Sequence, residues 1–425
     1  MINDGVFQSL ESEVRSYCRD FPAVFVRAKD HVLEAEDGRR FIDFFSGAGT
    51  LNYGHNHAAI KRALVAYLED DGIVHALDMY TGAKRRFLEA LRDVVLAPRG
   101  LDYKVQFTGP TGANAVEAAL KLARKVTGRS HVIAFTNGYH GLSLGALAAT
   151  SRRRYRAVAG QSLGNVTHMP YDGYHGSADT VAMLERALSD PGSGLDEPAA
   201  IIVESVQGEG GLNVATADWL RRLHGLARGR GIVLILDEIQ SGCGRTGDFF
   251  GFEQAGIEPD LVCVSKSISG IGLPMALVLI RPDLDRWSPG EHTGTFRGNN
   301  LAFVAAAAAL ELWRDGRLQG QVRRHAELIS KRLEAICSTG GRNDIERRGR
   351  GLMQGLAFAD AEEAGRVSQR AFGLGLVAET CGGHNEVLKL LPPLTITEDA
   401  LRAGLDILSS AVLGGSVAGA ERRHA

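Results

Sequence analysis

Along the chain, short and almost wholly apolar runs alternate with longer stretches whose apolar positions recur every three or four residues. The short runs lie at 105–107, 131–135, 199–206, 232–236, 261–264 and 275–280. Runs of this kind suit strands buried on both faces of a parallel sheet. The stretches at 58–70, 83–95, 114–126, 217–229 and onward from Leu301 have helical spacing. In the third of these, Val116, Ala119, Leu120, Ala123 and Val126 mark one face, and Glu117 can pair with Lys121 across a turn. Strands alternating with helices predict an α/β fold built on a mainly parallel sheet.

The two ends of the chain read differently. Phe7, Leu10, Val14 and Tyr17 would share one face of a helix over 7–17, which Phe21-Pro22 ends. A hairpin is predicted over 31–45, turning at Asp37-Gly38. Beyond Gly340, short strands near 352–358 and 375–378 alternate with helices near 361–372 and 398–413. This predicts a large domain over 51–305, and a smaller α/β domain made of 1–50 and 306–425. The tail from Gly414 reads as frayed.

Composition narrows the class. The 425 residues are enough for two domains; 44% are hydrophobic and 23% charged, the profile of a soluble globular protein. A net charge of −2 gives no reason to expect nucleic acid or an anionic membrane as partner. The five cysteines are odd in number and form no C-x-x-C, so neither a disulfide framework nor a metal site is expected. No run approaches a membrane span and the N-terminal segment is polar, which makes the cytoplasm the expected compartment.

Candidate chemistry concentrates at 231–267. The run 232–236 ends in Asp237-Glu238, and the run 261–264 leads through Ser265 into Lys266. If the two strands are parallel neighbours, Asp237 and Lys266 emerge on one sheet edge, where ligands of open α/β sheets bind. An acid and an amine facing one crevice suit pyridoxal 5'-phosphate (PLP), whose aldehyde bonds to a lysine and whose ring nitrogen pairs with an acid. A magnesium-holding P-loop strand is a rival reading, but the chain has no Gly-Lys dipeptide. Gly242-Cys-Gly244-Arg-Thr-Gly247 spells a dinucleotide fingerprint, yet it does not sit directly between strand and helix. Taken alone, Asp237 would fit better as a helix cap or surface charge, and it is the rest of the chain that favours the cofactor reading.

Further candidates lie at other strand ends. Thr108-Gly-Pro-Thr-Gly-Ala-Asn114 enters a helix and would suit a phosphate, although an ordinary N-cap fits the same residues. Thr136-Asn-Gly-Tyr-His-Gly141 could bring an aromatic ring to the edge, or could simply pack as a loop. Glu204 and Glu209 flank the same edge. The loop 47–57 is glycine-rich, and 289–300 is a second polar loop. Ser151-Arg-Arg-Arg154 reads as a solvated face.

LILDEIQSGCGRTG followed by SKSISGIGLPMA resembles the signature of the class III aminotransferases, and the resemblance spans about 7–413. It implies PLP as cofactor and the fold type I architecture: a large domain on a mainly parallel, seven-stranded-type sheet and a smaller α/β domain from both termini. It also implies roles. Lys266 would bond to the cofactor and Asp237 would pair with its ring nitrogen. Tyr139 would stack on the ring, and Gln240 would lie near the ring hydroxyl. Gly112 and Ala113 would cradle the phosphate. Thr295 would reach the phosphate of a neighbouring subunit, which makes the expected unit a homodimer at least. Glu209 and Lys389 match positions where other members carry a glutamate–arginine pair that gates the substrate carboxylate. Leu142 replaces an arginine found in some members, and Arg297 is a candidate substitute that could equally be a structural ion pair. EVRSYCRDFP, FIDFFSGAGTLNYGHN and PGEHTGTFRGNNLAFV resemble members of the ectoine-pathway type. The implied partners are a small-molecule amino donor, glutamate, and a semialdehyde acceptor, L-aspartate 4-semialdehyde. Ornithine, 4-aminobutyrate or a polyamine is the alternative.

Overall fold

A computed structural model describes residues 5–339 and 343–414. Its centre is a seven-stranded sheet. The order across it is Lys104–Phe107, Leu277–Ile280, Leu261–Val264, Val233–Asp237, Ala200–Val203, Val132–Phe135 and Val166–Met169. Leu277–Ile280 runs against both its neighbours, and the remaining pairs are parallel. The apolar runs are strands because both sheet faces are covered. Val233, Ile235, Ala200 and Ile202 face one core, shared with the Gly112–Thr127 helix. Leu234, Leu236, Ile201 and Val203 face the other, shared with the Ala217–Gly229 and Asn300–Leu310 helices. Side chains alternate along a strand, so every position must be apolar when both faces are buried.

Several sequence expectations need correction. The run at 199–206 is not one strand. Ala200–Val203 stays in the sheet, while Val206–Gln207 pairs with Asn213–Val214. Glu204 separates them because its buried carboxylate collects the N–H groups of Tyr139 and Gly208, each at 3.0 Å. The helix expected over 7–17 is two short helices, Gly5–Leu10 and Tyr17–Asp20. Its apolar face stays open, with Leu10 80% and Val14 88% exposed, so no packing supports a longer helix. Glu117 does not pair with Lys121. It accepts instead from the N–H groups of Gly145 and Ala146, at 2.8 and 3.0 Å, where it caps the Leu144–Ala149 helix.

Segments from the N-terminal and C-terminal parts of the described chain meet in space. The expected hairpin is Val32–Ala35 with Arg40–Asp43, and Leu376–Val377 joins it in parallel with Arg40–Asp43. A second, antiparallel sheet runs Ile345–Arg350, Met353–Phe358, Val387–Leu390, Glu379–Cys381. The strand expected near 352–358 is there; the other three strands of this sheet were not foreseen. Ile345–Arg350 reads IERRGR, with too much charge to signal a strand. The tail after Gly414, expected to fray, lies outside the described residues. Among those described, no helix is long and apolar enough to cross a membrane.

Candidate active site

The Val233–Asp237 and Leu261–Val264 strands are parallel neighbours, with Asp237 opposite Cys263. Asp237 therefore ends its strand on the edge where the next one passes into Lys266. Lys266 opens a tight turn, Lys266–Ser269, with a φ of 52°. A left-handed lysine is a costly conformation, of the kind that clusters at functional sites.

Lys266 is half-buried, and its amine donates to the carbonyl of Ala48 at 2.9 Å. That carbonyl is aimed by the turn Ser46–Gly49, where Gly47 and Ala48 also have positive φ. Asp43 fixes the turn by accepting the N–H groups of Phe45 and Ser46, both at 2.8 Å. The loop expected near the site thus supplies an acceptor for the lysine. Burial pulls the Lys266 pKa below its ordinary value, and the charge of Glu209 only partly opposes this.

Asp237 is buried and makes two contacts. Its Oδ1 accepts from the Ile239 N–H at 3.1 Å, and its Oδ2 stands 2.8 Å from Nδ1 of His140. Burial works against a charged His140, but the hydrogen bond to Asp237 and the charges of Asp237 and Glu204 outweigh it and raise its pKa. His140 is thus a donor to Asp237, a partnership that sequence reading left as loop packing. Its adjacency to Tyr139 at the sheet edge was the available signal.

Tyr139 occupies the same loop. Its N–H goes to Glu204, and burial pushes its phenol up to about 12. Gly141, with φ 124°, lets this loop touch the helix that starts at Gly112; a Cβ there would stand 2.6 Å from Cβ of Ala113. Gly112 in turn abuts Ile239, whose Cδ1 would lie 2.9 Å from an added Cβ. Thr111 caps this helix through Asn114. A helix start with its unshared N–H groups and positive dipole end therefore borders the crevice.

A second charged cluster closes the other side. Lys389 is fully buried, with its amine 2.7 Å from Glu209 Oε1 and 3.0 Å from Glu379 Oε1. Glu379 is its direct cross-strand neighbour. Burial opposes the charge on Lys389, yet the two carboxylates push its pKa well above the ordinary value. Burial would also raise Glu209, but Lys389 and Lys266 hold it down to about 2, while burial drives Glu379 up to about 7. Gln240 bridges the clusters, donating to Ala48 at 3.0 Å and to Glu209 at 3.2 Å. Glu379 was missed in the sequence; the lysine inside the apolar VLKL strand was the signal that a buried acid must meet it.

The structure therefore gathers Lys266, Asp237, Tyr139, Gln240, Glu209, Lys389, Gly112 and Ala113 around one edge. It does not bring Thr295 or Arg297 to them. Thr295 is exposed, and its carbonyl accepts from His75 at 3.0 Å. Arg297 donates to Thr293 at 3.4 Å and keeps Nη1 buried with no partner. No carboxylate pairs with it among the described residues. The fingerprint-like 242–247 segment is a series of turns that opens no helix.

Comparison with known proteins adds the lineage. The sequence model of the class III aminotransferases matches residues 15–412. The chain is 57% identical to a diaminobutyrate–2-oxoglutarate transaminase of Nocardia farcinica, over 96% of this chain and 94% of that one. It is equally 57% identical to the enzyme of that name from Streptomyces coelicolor, over 96% and 97%. Among solved structures, the ornithine aminotransferase of Toxoplasma gondii, whose active site is partly occupied by PLP, superposes with a TM-score of 0.85 at 28% identity. That match covers 96% of this chain and 93% of that one.

Proposed function

The chain belongs to the class III aminotransferases, and from that premise we propose that it moves an amino group between L-glutamate and L-aspartate 4-semialdehyde, forming L-2,4-diaminobutyrate and 2-oxoglutarate. One observation carries the choice of substrate. Identity to the diaminobutyrate transaminases is 57% across nearly the whole chain, against 28% to the ornithine enzyme. Ornithine, 4-aminobutyrate and polyamines are thereby disfavoured.

The cofactor is PLP, and the residues present fit it. The crevice offers a half-buried amine, a buried acid, an aromatic loop and a helix start in place for a phosphate. When bound, PLP supplies an electron sink that stabilises negative charge at the reacting carbon. The rest of the work falls to the chain. Lys266 is the covalent anchor, and its lowered pKa suits it to accept and return the proton at that carbon. Asp237 would pair with the ring nitrogen, and His140 keeps that carboxylate in place. Tyr139 supplies a ring face, and Gly112 and Ala113 supply backbone N–H groups. Gln240 and Lys389 set the position of Glu209, which faces the substrate.

The reading extends to a homodimer in which Thr295 of each copy serves the other's phosphate. Thr295 adjoins an exposed apolar side chain: Phe296 is 67% exposed and packs edge-on against His75. An exposed aromatic of that kind offers a contact to a second copy. We place the enzyme in the cytoplasm and its product in ectoine synthesis, the latter on the resemblance of the EVRSYCRDFP and FIDFFSGAGT segments alone.

The test is a half-reaction screen on the absorbance of the PLP-loaded enzyme. Glutamate and diaminobutyrate should each convert the cofactor to its amine form rapidly, and ornithine and 4-aminobutyrate should not. Conversion by ornithine in place of diaminobutyrate would overturn the substrate assignment.

A further inference from the structure

The Ser151-Arg-Arg-Arg154 run has so far taken no part in the site. Arg153 and Arg154 are exposed, as a solvated face requires, but Arg152 is half-buried. Together with Arg156 it lines a cavity of about 270 Å³ whose walls include Tyr139, Glu209 and Gly382. The cavity therefore shares two residues with the candidate active site and opens beside it.

Arg152 is fixed in orientation. Its Nη2 donates to Oδ1 of Asn385 at 2.8 Å, and its guanidinium lies 5.7 Å from the centre of the Tyr155 ring. Tyr155 meets Tyr139 edge-on. Among the described residues, neither Arg152 nor Arg156 has a carboxylate within ion-pair distance, and Nε of Arg156 is buried without any partner. The acid in the cavity wall, Glu209, is already tied to Lys389. Burial and Arg156 both keep His168 from charging. The cavity thus holds two guanidinium groups that no carboxylate neutralises among the described residues, and a planar guanidinium matches a carboxylate bidentately.

The proposed substrates have a matching feature. In glutamate, three bonds separate the reacting α-carbon from the distal carboxylate carbon. In diaminobutyrate and the semialdehyde, three bonds separate the reacting terminal carbon from the carboxylate carbon. One subsite at a fixed distance can therefore serve both half-reactions. We propose that Arg152, supported by Arg156, is that subsite, binding the distal carboxylate of donor and acceptor alike. The proposal rests on the substrates named above.

The test compares diaminobutyrate with 1,3-diaminopropane, which is the same diamine without the carboxylate. In the PLP-loaded Arg152→Gln enzyme, kcat/KM for diaminobutyrate and for glutamate should fall by about ten- to a hundredfold, mostly through KM. The rate with 1,3-diaminopropane should stay within about twofold of the unaltered enzyme, because a lost carboxylate contact cannot affect a substrate that lacks it. Arg152→Lys should recover part of the loss. Binding of glutarate, an unreactive dicarboxylate, should weaken in parallel in calorimetry. Equal losses with both diamines, or no loss with either, would overturn the assignment, as would failure of the unaltered enzyme to bind glutarate. If the unaltered enzyme ignored diaminobutyrate but bound glutarate through Arg152, the proposed reaction would fall and the carboxylate subsite would stand.

Discussion

Nδ1 of His140 stands 2.8 Å from Oδ2 of Asp237, and both side chains are closed off from solvent. The two residues come from strands that are not adjacent: Val132–Phe135 and Val233–Asp237 are separated by Ala200–Val203. The 136–143 loop must cross the end of the intervening strand to deliver the imidazole. Removing it leaves Asp237 with the Ile239 N–H as its remaining contact of this kind. His140→Leu should lower kcat by about ten- to a hundredfold, the worth of a charge-assisted hydrogen bond. It should also shift the absorbance of bound PLP, since the acid facing the ring would lose its fixed position. A variant with native absorbance and native kcat would contradict the pairing.

Much of this fold was readable because the inner strands of the seven-stranded sheet are buried on both faces, so they had to be apolar runs; the half-buried edge strand Val166–Met169 reads VTHM and gave no such signal. Asp237 and Lys266 were readable for the related reason that they terminate two such runs. The small antiparallel sheet was not, because Ile345–Arg350 is charged and Glu379–Cys381 is short. His140 and Glu379 escaped because their importance lies in a partner distant in sequence: Asp237 for one, Lys389 for the other. Local pattern carries no information about such pairings. Arg152 looked like its exposed neighbours for the same reason, since only the fold turns it toward Asn385.

Thr295 lies on an exposed loop away from its own subunit's cluster, and the expectation that it reaches a neighbouring copy's phosphate leads to a complementation experiment. Lys266→Ala should lose turnover by about two to four orders of magnitude, the range of a positioned acid–base group. Thr295→Asp should lose PLP affinity through repulsion of the phosphate. If the two residues serve one site from different copies, a mixed dimer of the variants has one site intact and one doubly altered. A statistical mixture of equal parts should then regain about a quarter of native activity. Continued inactivity of verified mixed dimers would place both residues in the same subunit's site.

Lys389 is the sole cation seen pairing with both Glu209 and Glu379 among the described residues, and it is buried. Lys389→Met would preserve the side chain's bulk while leaving two acids without their counterion. Removal of one partner from a buried ion cluster costs about 3–5 kcal/mol. Urea unfolding of the PLP-loaded protein should show a loss of that order, and Glu379→Gln added to Lys389→Met should restore part of it. A loss under about 1 kcal/mol would mean that the cluster is solvated rather than buried.

Glu238 neighbours Asp237 in sequence but turns to a different task. Its carboxylate accepts from Ser205 Oγ at 3.1 Å, and from Ser241 Oγ and the Gly251 N–H at 2.9 Å each. Burial nonetheless pushes its pKa from 4.5 up to about 7, the donors opposing only in part. Between those two values the folded chain keeps a proton that the unfolded chain has released. The folded state then binds more protons, so this group's contribution makes stability fall as pH rises from about 4.5 to about 7. Glu238→Gln removes the titration while its amide can still meet Gly251, Ser241 and, after a hydroxyl rotation, Ser205. Unfolding of the PLP-loaded enzyme in urea at pH 5 and pH 8 should show a smaller decline in the variant, by on the order of 1–3 kcal/mol. An identical decline in both proteins would show that Glu238 stays ionised throughout, and that its three donors outweigh its burial.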